Sequence, residues 1–133
     1  MKSALLAIAL LSIVVAPAYA QDPVEAARIE YLITSVNALQ GAKFIRNGSE
    51  YDARAASGHL RRKLKIAGDR VKTAEDFIAY CASKSSISGE PYEIRLTDGT
   101  TMRAEAFFRS KLKEFATNHT LHKSLNVQEL QSP

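Results

Sequence analysis

The stretch Lys43-Phe44-Ile45-Arg46-Asn47-Gly48-Ser49-Glu50-Tyr51 decides the fold. Asn-Gly between two short strand-like runs is the strongest local hairpin signal, because a type I′ turn needs positive φ at both central residues. In that register Phe44 and Arg46 share a face with Ser49 and Tyr51, while Ile45 and Glu50 face the other way. Strands this short cannot persist alone, so helices must cover them.

Helical patterns lie on both sides of the hairpin. Upstream, Ile29, Leu32, Ile33, Val36 and Leu39 follow the i, i+3, i+4, i+7 spacing and predict a helix over 24–39. Asp22 and Pro23 form its start signal and Gln40-Gly41 its end. Downstream, Asp52 can cap a helix to about Ala67, with Ala56, Leu60, Leu64 and Ala67 facing the core and Gly68 as its stop. His59 and Lys63 sit on the flank of that stripe. Thr73 and Asp76 form a variant capping box for a third helix, whose inward side is Ala74, Phe77, Ile78 and Cys81.

Tyr92, Ile94 and Leu96 alternate with Glu93 and Arg95, the pattern of a strand with one buried face. Asp98-Gly99 is a turn, and Thr100 to Met102 reads as a short returning strand. Ala104 to about Ala116 is the last helix, with Phe107, Phe108, Leu112 and Phe115 at helical spacing. Residues 117–133 are polar and lack periodicity, which predicts a flexible C-terminal tail. The expected architecture is α+β, with about four helices packed on one or two small antiparallel hairpins. Its core includes Ile29, Leu32, Ile33, Val36, Phe44, Leu60, Leu64, Phe77, Ile78, Ile94, Phe108 and Leu112.

Residues 1–20 read as a signal peptide rather than as part of the fold. Lys2 supplies the positive start, Ala4 to Ala16 an apolar run, and Ala18-Tyr19-Ala20 a small-x-small cleavage signal. The run is short for a membrane span, which takes about 20 apolar residues. The expected location is therefore the periplasm or the medium, with no membrane span after cleavage. The 133-residue chain is 46% hydrophobic, with 18 Lys+Arg against 14 Asp+Glu. Without residues 1–20 it has 113 residues, about 40% hydrophobic, and a net charge of +3. This is one domain, over 21–116, with the tail beyond it. A single cysteine excludes an internal disulfide and a Cys-rich metal site.

The chemistry-bearing residues cluster in a few places. Ser83-Lys84-Ser85-Ser86-x-Ser88-Gly89 holds four hydroxyls, a lysine and a glycine in seven residues. Backbone N–H groups, hydroxyls and Lys84 could cradle an anion there. The plainer alternative is a helix end followed by a hydrogen-bonded turn. A serine activated by Lys84 or His59 would make the loop a small hydrolase site, but neither a Gly-x-Ser-x-Gly elbow nor an acidic partner accompanies it. His59 and Lys63 project together at i, i+4. Arg46 on the hairpin tip can offer a guanidinium fork to a carboxylate or phosphate, or pack on Tyr51. Arg61-Arg62-Lys63-x-Lys65, with Arg54, Arg70 and Lys72, gives the second helix a positive side. Nucleic acid is not the expected partner, because the signal peptide points outside the cytoplasm and no aromatics interleave with the charges. His119 and His122 lack a third ligand, so no metal or other cofactor is expected.

Phe44-Ile45-Arg46-Asn47-Gly48, Tyr51, Ala55, His59-Leu60, Lys63, Thr73, Asp76-Phe77-Ile78 and Ala82-Ser83-Lys84-Ser85-Ser86-x-Ser88-Gly89-x-Pro91-Tyr92 resemble a family of small secreted bacterial proteins without an assigned activity. The resemblance covers roughly residues 28–113. It implies secretion and fold rather than a mechanism. It also implies that relatives carry cysteines at the positions of Ala42 and near Leu96, a cross-link that this chain lacks. Cys81, on the apolar side of its helix, is expected to be a buried small hydrophobe.

The surface expected to carry function combines Arg46, Asn47, His59, Lys63, Ser83, Lys84, Ser85, Ser86, Ser88 and Tyr92. Its expected role is non-catalytic binding of an anionic small ligand or of a periplasmic protein. The alternatives are the small hydrolase and a purely structural interaction module.

Overall fold

The computed structural model describes residues 22–129. The expected signal peptide and its expected cleavage after Ala20 lie outside these residues, as do the last four positions of the expected tail. The fold is α+β: four helices and one four-stranded antiparallel sheet.

Helix α1 spans Pro23–Asn37, strand β1 Lys43–Arg46, β2 Ser49–Tyr51 and α2 Ala53–Ala67. Helix α3 begins at Ala74–Phe77 and continues as a π-helical turn over Ile78–Ala82. Strand β3 is Glu93–Arg95, β4 is Thr101–Arg103, and α4 runs Ala104–Glu129. The caps are those the sequence predicts. The Asp22 carboxylate accepts from the Val24 amide, that of Asp52 from the Ala55 amide, and Thr73 and Asp76 close a capping box.

The two expected hairpins are joined into one sheet. Strand β1 pairs with β2 on one side and with β3 on the other, giving the order β2-β1-β3-β4. Asn47 and Gly48 both have positive φ, 49° and 76°, as the turn requires. The register aligns Tyr51, Phe44, Ile94 and Met102 in one row across all four strands. That row packs on the helices. Ile94 is fully buried, and Phe44 and Met102 pack half-buried against the core. Side chains alternate along a strand, so Arg46, two residues from Phe44, also lies on the helix-facing side. Tyr92, two residues from Ile94, does too.

The core runs through Ile29, Leu32, Ile33, Val36, Leu60, Phe77, Ile78, Ile94, Phe108 and Leu112, all buried as expected. The rings of Phe77 and Phe108 meet edge to face at 6.3 Å between centroids. Each such side chain contributes about 1.5–3 kcal/mol by leaving water. Phe44 and Leu64 are only half-buried: both pack at the edge of the core, and Phe44 lines the cavity described below. Cys81 is fully buried with a free thiol, and burial raises its pKa. Gly41 closes the turn after α1 with φ of 79°, and an added Cβ would lie 2.9 Å from Thr97 Cγ2. A side chain there would be strained and would crowd the β3–β4 turn.

Two expectations change. The stretch after Ala116 is not an irregular tail: α4 continues to Glu129, with every residue from Ala116 onward exposed. Periodicity reports burial, and a helix with no partner needs no apolar stripe. This segment contains no Gly or Pro to stop it, and hydroxyls of Thr117, Thr120 and Ser124 bond back to carbonyls one turn earlier. The third helix also does not stay α-helical. Its last five residues take the wider π turn, and the Ser83 hydroxyl donates to the Ile78 carbonyl at its end.

Candidate functional site

Strand β1 delivers Arg46 to the helix-facing side, and α2 presents His59 and Lys63 one turn apart on its flank. The backbone just before β3 supplies Tyr92. These four side chains meet. Arg46 Nη1 lies 3.1 Å from His59 Nδ1 and 3.2 Å from Nε2. Arg46 Nη2 donates to the Tyr51 hydroxyl at 3.3 Å. His59 Nε2 is 3.2 Å from the Tyr92 hydroxyl, and Lys63 Nζ donates to that same oxygen at 3.2 Å. Lys63 also donates to the Lys84 carbonyl at 2.9 Å, which ties α2 to the serine loop.

Tyr92 is fixed by its backbone. Its amide donates to the Ser83 carbonyl, and its carbonyl accepts from the Ala104 amide, both at 2.9 Å. The end of the π turn and the start of α4 thus set where the phenol hydroxyl sits.

The cluster is rich in donors and poor in acceptors. Arg46 and Lys63 can only donate, and a neutral imidazole offers a single lone pair. His59 is neutral at pH 7: its pKa is lowered to about 4 by burial first, then by Arg46, Lys63 and Arg62. Burial likewise lowers the pKa of Lys63 and raises that of Tyr92. Among the described residues, no carboxylate forms an ion pair with Arg46, Arg54, Arg62 or Lys63.

A cavity of about 470 Å³ opens beside the cluster, within the size range of small-ligand sites. Its lining sorts by depth. Leu60, Ala82, Ala104 and Phe108 are buried core residues and form an apolar floor. Arg46, His59, Tyr51 and Tyr92 stand above them, and the exposed Asp52, Arg54, Arg62 and Glu93 ring the mouth. The Asp52 carboxylate is already engaged as the cap of α2.

The serine loop divides. Ser85 is buried, and its oxygen accepts from the Ile87 and Ser88 amides and from Asn47 Nδ2 at 3.4 Å. The Ser88 hydroxyl donates to Asn47 Oδ1 at 2.6 Å. Asn47 is therefore a clasp between the hairpin tip and the loop. Ser83 closes the π turn. Ser86 and the Lys84 side chain are exposed, and Lys84 contributes its carbonyl rather than its amine. Among the described residues no loop serine hydrogen-bonds His59 or the Lys84 amine, so the geometry gives no activated nucleophile. The loop works mainly as the hydrogen-bonded turn that was its plainer reading.

Arg46, His59, Lys63 and Tyr92 are thus brought into one network. Of these only Arg46, His59 and Tyr92 line the cavity; Lys63, Asn47 and Ser83, Lys84, Ser85, Ser86 and Ser88 lie outside its lining, with Asn47 clasping Ser85 and Ser88. The basic run does not form one positive side. Arg61 makes a two-pronged bond to Glu30, Arg62 reaches the cavity mouth, and Lys63 turns inward. The strand register places Tyr51 at the cavity, and the packing of α2, the π turn and α4 against the sheet places the floor residues, neither of which a sequence motif marks. His119 and His122 lie on the exposed part of α4, and among the described residues no three His, Cys, Asp or Glu side chains converge on a metal position. No helix among the described residues is long and apolar enough to cross a membrane.

Similarity to known proteins identifies a family. An uncharacterised protein of Salmonella typhimurium, YfeK, is 41% identical over 68 residues, which cover 51% of this chain. The aligned stretch spans 57% of that relative's length. No solved structure matches the chain. The model of the family of unknown function DUF5329 matches residues 23–116, from the first residue of α1 into α4 and across the whole site, and the chain belongs to that family.

Proposed function

We propose that this protein is a secreted, non-catalytic binder of a small anionic ligand, held in the cavity between the hairpin, α2 and Tyr92. The observation that carries the reading is the acceptor-poor cluster. Arg46 and Lys63, with Arg54 and Arg62 at the mouth, surround a neutral His59 without an acid partner among the described residues. A cation that only meets neutral acceptors gains most from a charged one, because charge-assisted hydrogen bonds are about twice as strong as neutral ones. Export rests on Lys2, the apolar run Ala4–Ala16 and Ala18-Tyr19-Ala20.

The test is native mass spectrometry of the protein purified from the periplasm. The expected result is a chain beginning at Gln21 that retains a small acidic molecule, with the Arg46→Ala variant emerging empty. A wild-type protein that carries no adduct and binds no anion offered at millimolar concentration would sink the binding reading. A chain that still starts at Met1 would sink export through cleavage.

A second reading, engagement of a protein partner, is favoured by α4. Beyond Ala116 this helix leaves the body of the domain and exposes Leu121, Leu125 and Val127. Cross-linking from that segment in the periplasm, compared with a chain ending at Ala116, tests it.

A further inference from the structure

The cavity is layered, and the layering narrows the ligand class. Its floor consists of core residues: Leu60, Ala82, Ala104 and Phe108 are at most 5% exposed yet line the opening. No polar side chain sits among these four. An inorganic anion or a small polyol would leave that floor against water. The charged side chains lie higher, Arg46 beside the neutral His59 and then Asp52, Arg54, Arg62 and Glu93 around the mouth. A volume of about 470 Å³ exceeds what a lone phosphate or acetate fills.

We propose that the ligand is an amphipathic monocarboxylate, with its hydrocarbon body on the Leu60–Phe108 floor and its carboxylate on Arg46. The inference rests on the anion-binding reading above and adds its chemical class. Arg46 is the head-group residue because its guanidinium is half-buried, directly above the apolar layer, and bonded only to neutral partners, His59 and Tyr51. Its planar fork matches a carboxylate with two parallel bonds. The Tyr92 hydroxyl, already held by Lys63, stands beside that head group as a further donor. Asp52 and Glu93 at the rim disfavour a second negative charge on the outer part of the ligand.

Titration calorimetry on the mature chain with acetate, hexanoate, octanoate, octanol and inorganic phosphate tests this. Affinity is expected to rise about three- to fourfold per added methylene until the floor is filled, the gain set by burying each CH₂. Octanol is expected to bind at least tenfold more weakly than octanoate, and Arg46→Ala to erase that difference. Ala56→Leu, which fills space on the α2 wall, is expected to shorten the preferred chain. The exposed Ala55→Leu serves the same purpose should the first variant not fold. Phosphate or acetate binding as tightly as octanoate would overturn the amphipathic class and leave anion binding standing. Octanol matching octanoate would overturn the role of Arg46. No binding by any of the five would remove both readings together.

Discussion

Arg46 and His59 lie thirteen residues apart in sequence and meet at 3.1 Å, a permanent cation donating to an imidazole that stays neutral at pH 7. A second positive charge cannot join Arg46, Lys63 and Arg62 there without cost. The first prediction follows from that cost. The folded-state pKa of His59, about 4, lies below its ordinary 6.5. As pH falls, the unfolded chain therefore takes up the proton first, and stability is lost progressively between about 6.5 and 4. With the ring half-exposed and partly screened, the loss attributable to His59 is about 1–2 kcal/mol. Urea midpoints across that range should decline for the wild type, and the decline should be shallower in His59→Gln.

Bound anion should change the same titration. A carboxylate beside Arg46 offsets part of the positive field, so the His59 pKa rises on occupancy. Imidazole proton shifts followed by NMR, with and without octanoate, should show a higher midpoint in the complex. An unchanged midpoint would place the ligand away from the ring.

Asn47 performs two tasks that substitution can separate. Its φ of 49° suits the turn, and its amide clasps Ser85 and Ser88. Asn47→Gly keeps the conformation and loses the clasp, at about 1–2 kcal/mol for two hydrogen bonds. Asn47→Ala loses both, adding about 1 kcal/mol for the left-handed backbone. Chemical denaturation should rank wild type above glycine above alanine.

The sheet register offers a place for a cross-link. Continuing the antiparallel register one step beyond the Lys43–Arg95 pair would set Ala42 across from Leu96. The family resemblance implies one cysteine at the position of Ala42 and another near Leu96. A double variant, Ala42→Cys with Leu96→Cys, should form the bridge on oxidation of the purified protein. The oxidised form should exceed the reduced form in stability by about 2–4 kcal/mol. Free-thiol titration should then find only Cys81, and only after unfolding, because that thiol is fully buried.

Ending the chain after Ala116 should leave folding almost untouched. The described residues beyond it are exposed, and the aromatic contact His119 makes is with Phe115, one turn earlier on the same helix. Thermal and urea midpoints should agree with the full chain within about 0.5 kcal/mol. A larger loss would mean that the exposed turns of α4 support the domain.

Much of this fold was legible because it is written in local terms. Asn47-Gly48 fixed a turn, Asp52 and Thr73 fixed helix starts, and the spacing of Leu32, Ile33 and Val36 marked a buried face. The pairing of β1 with β3 was not legible, since neither short strand carries a signal for its partner. Without that pairing, Arg46 and Tyr92 could be grouped only as residues of neighbouring motifs, and the cavity floor could not be seen. The serine loop misled in a specific way. Ser83 and Ser85 spend their hydroxyl groups on the backbone and on Asn47, and a sequence shows hydroxyls without showing where they are spent. The outer half of α4 was missed because exposed helix leaves no periodic trace.

The π turn over Ile78–Ala82 has a consequence for how such a pocket could diversify. Ser83 at its end receives the Tyr92 amide, so the phenol's position depends on how many residues that helical turn contains. Removing one would draw Ser83 back along the helix axis by about 1.5 Å and move the Tyr92 hydroxyl relative to Arg46. Ligand size is then adjustable by chain length in a segment that gives the cavity only Ala82, while the other lining side chains keep their identity.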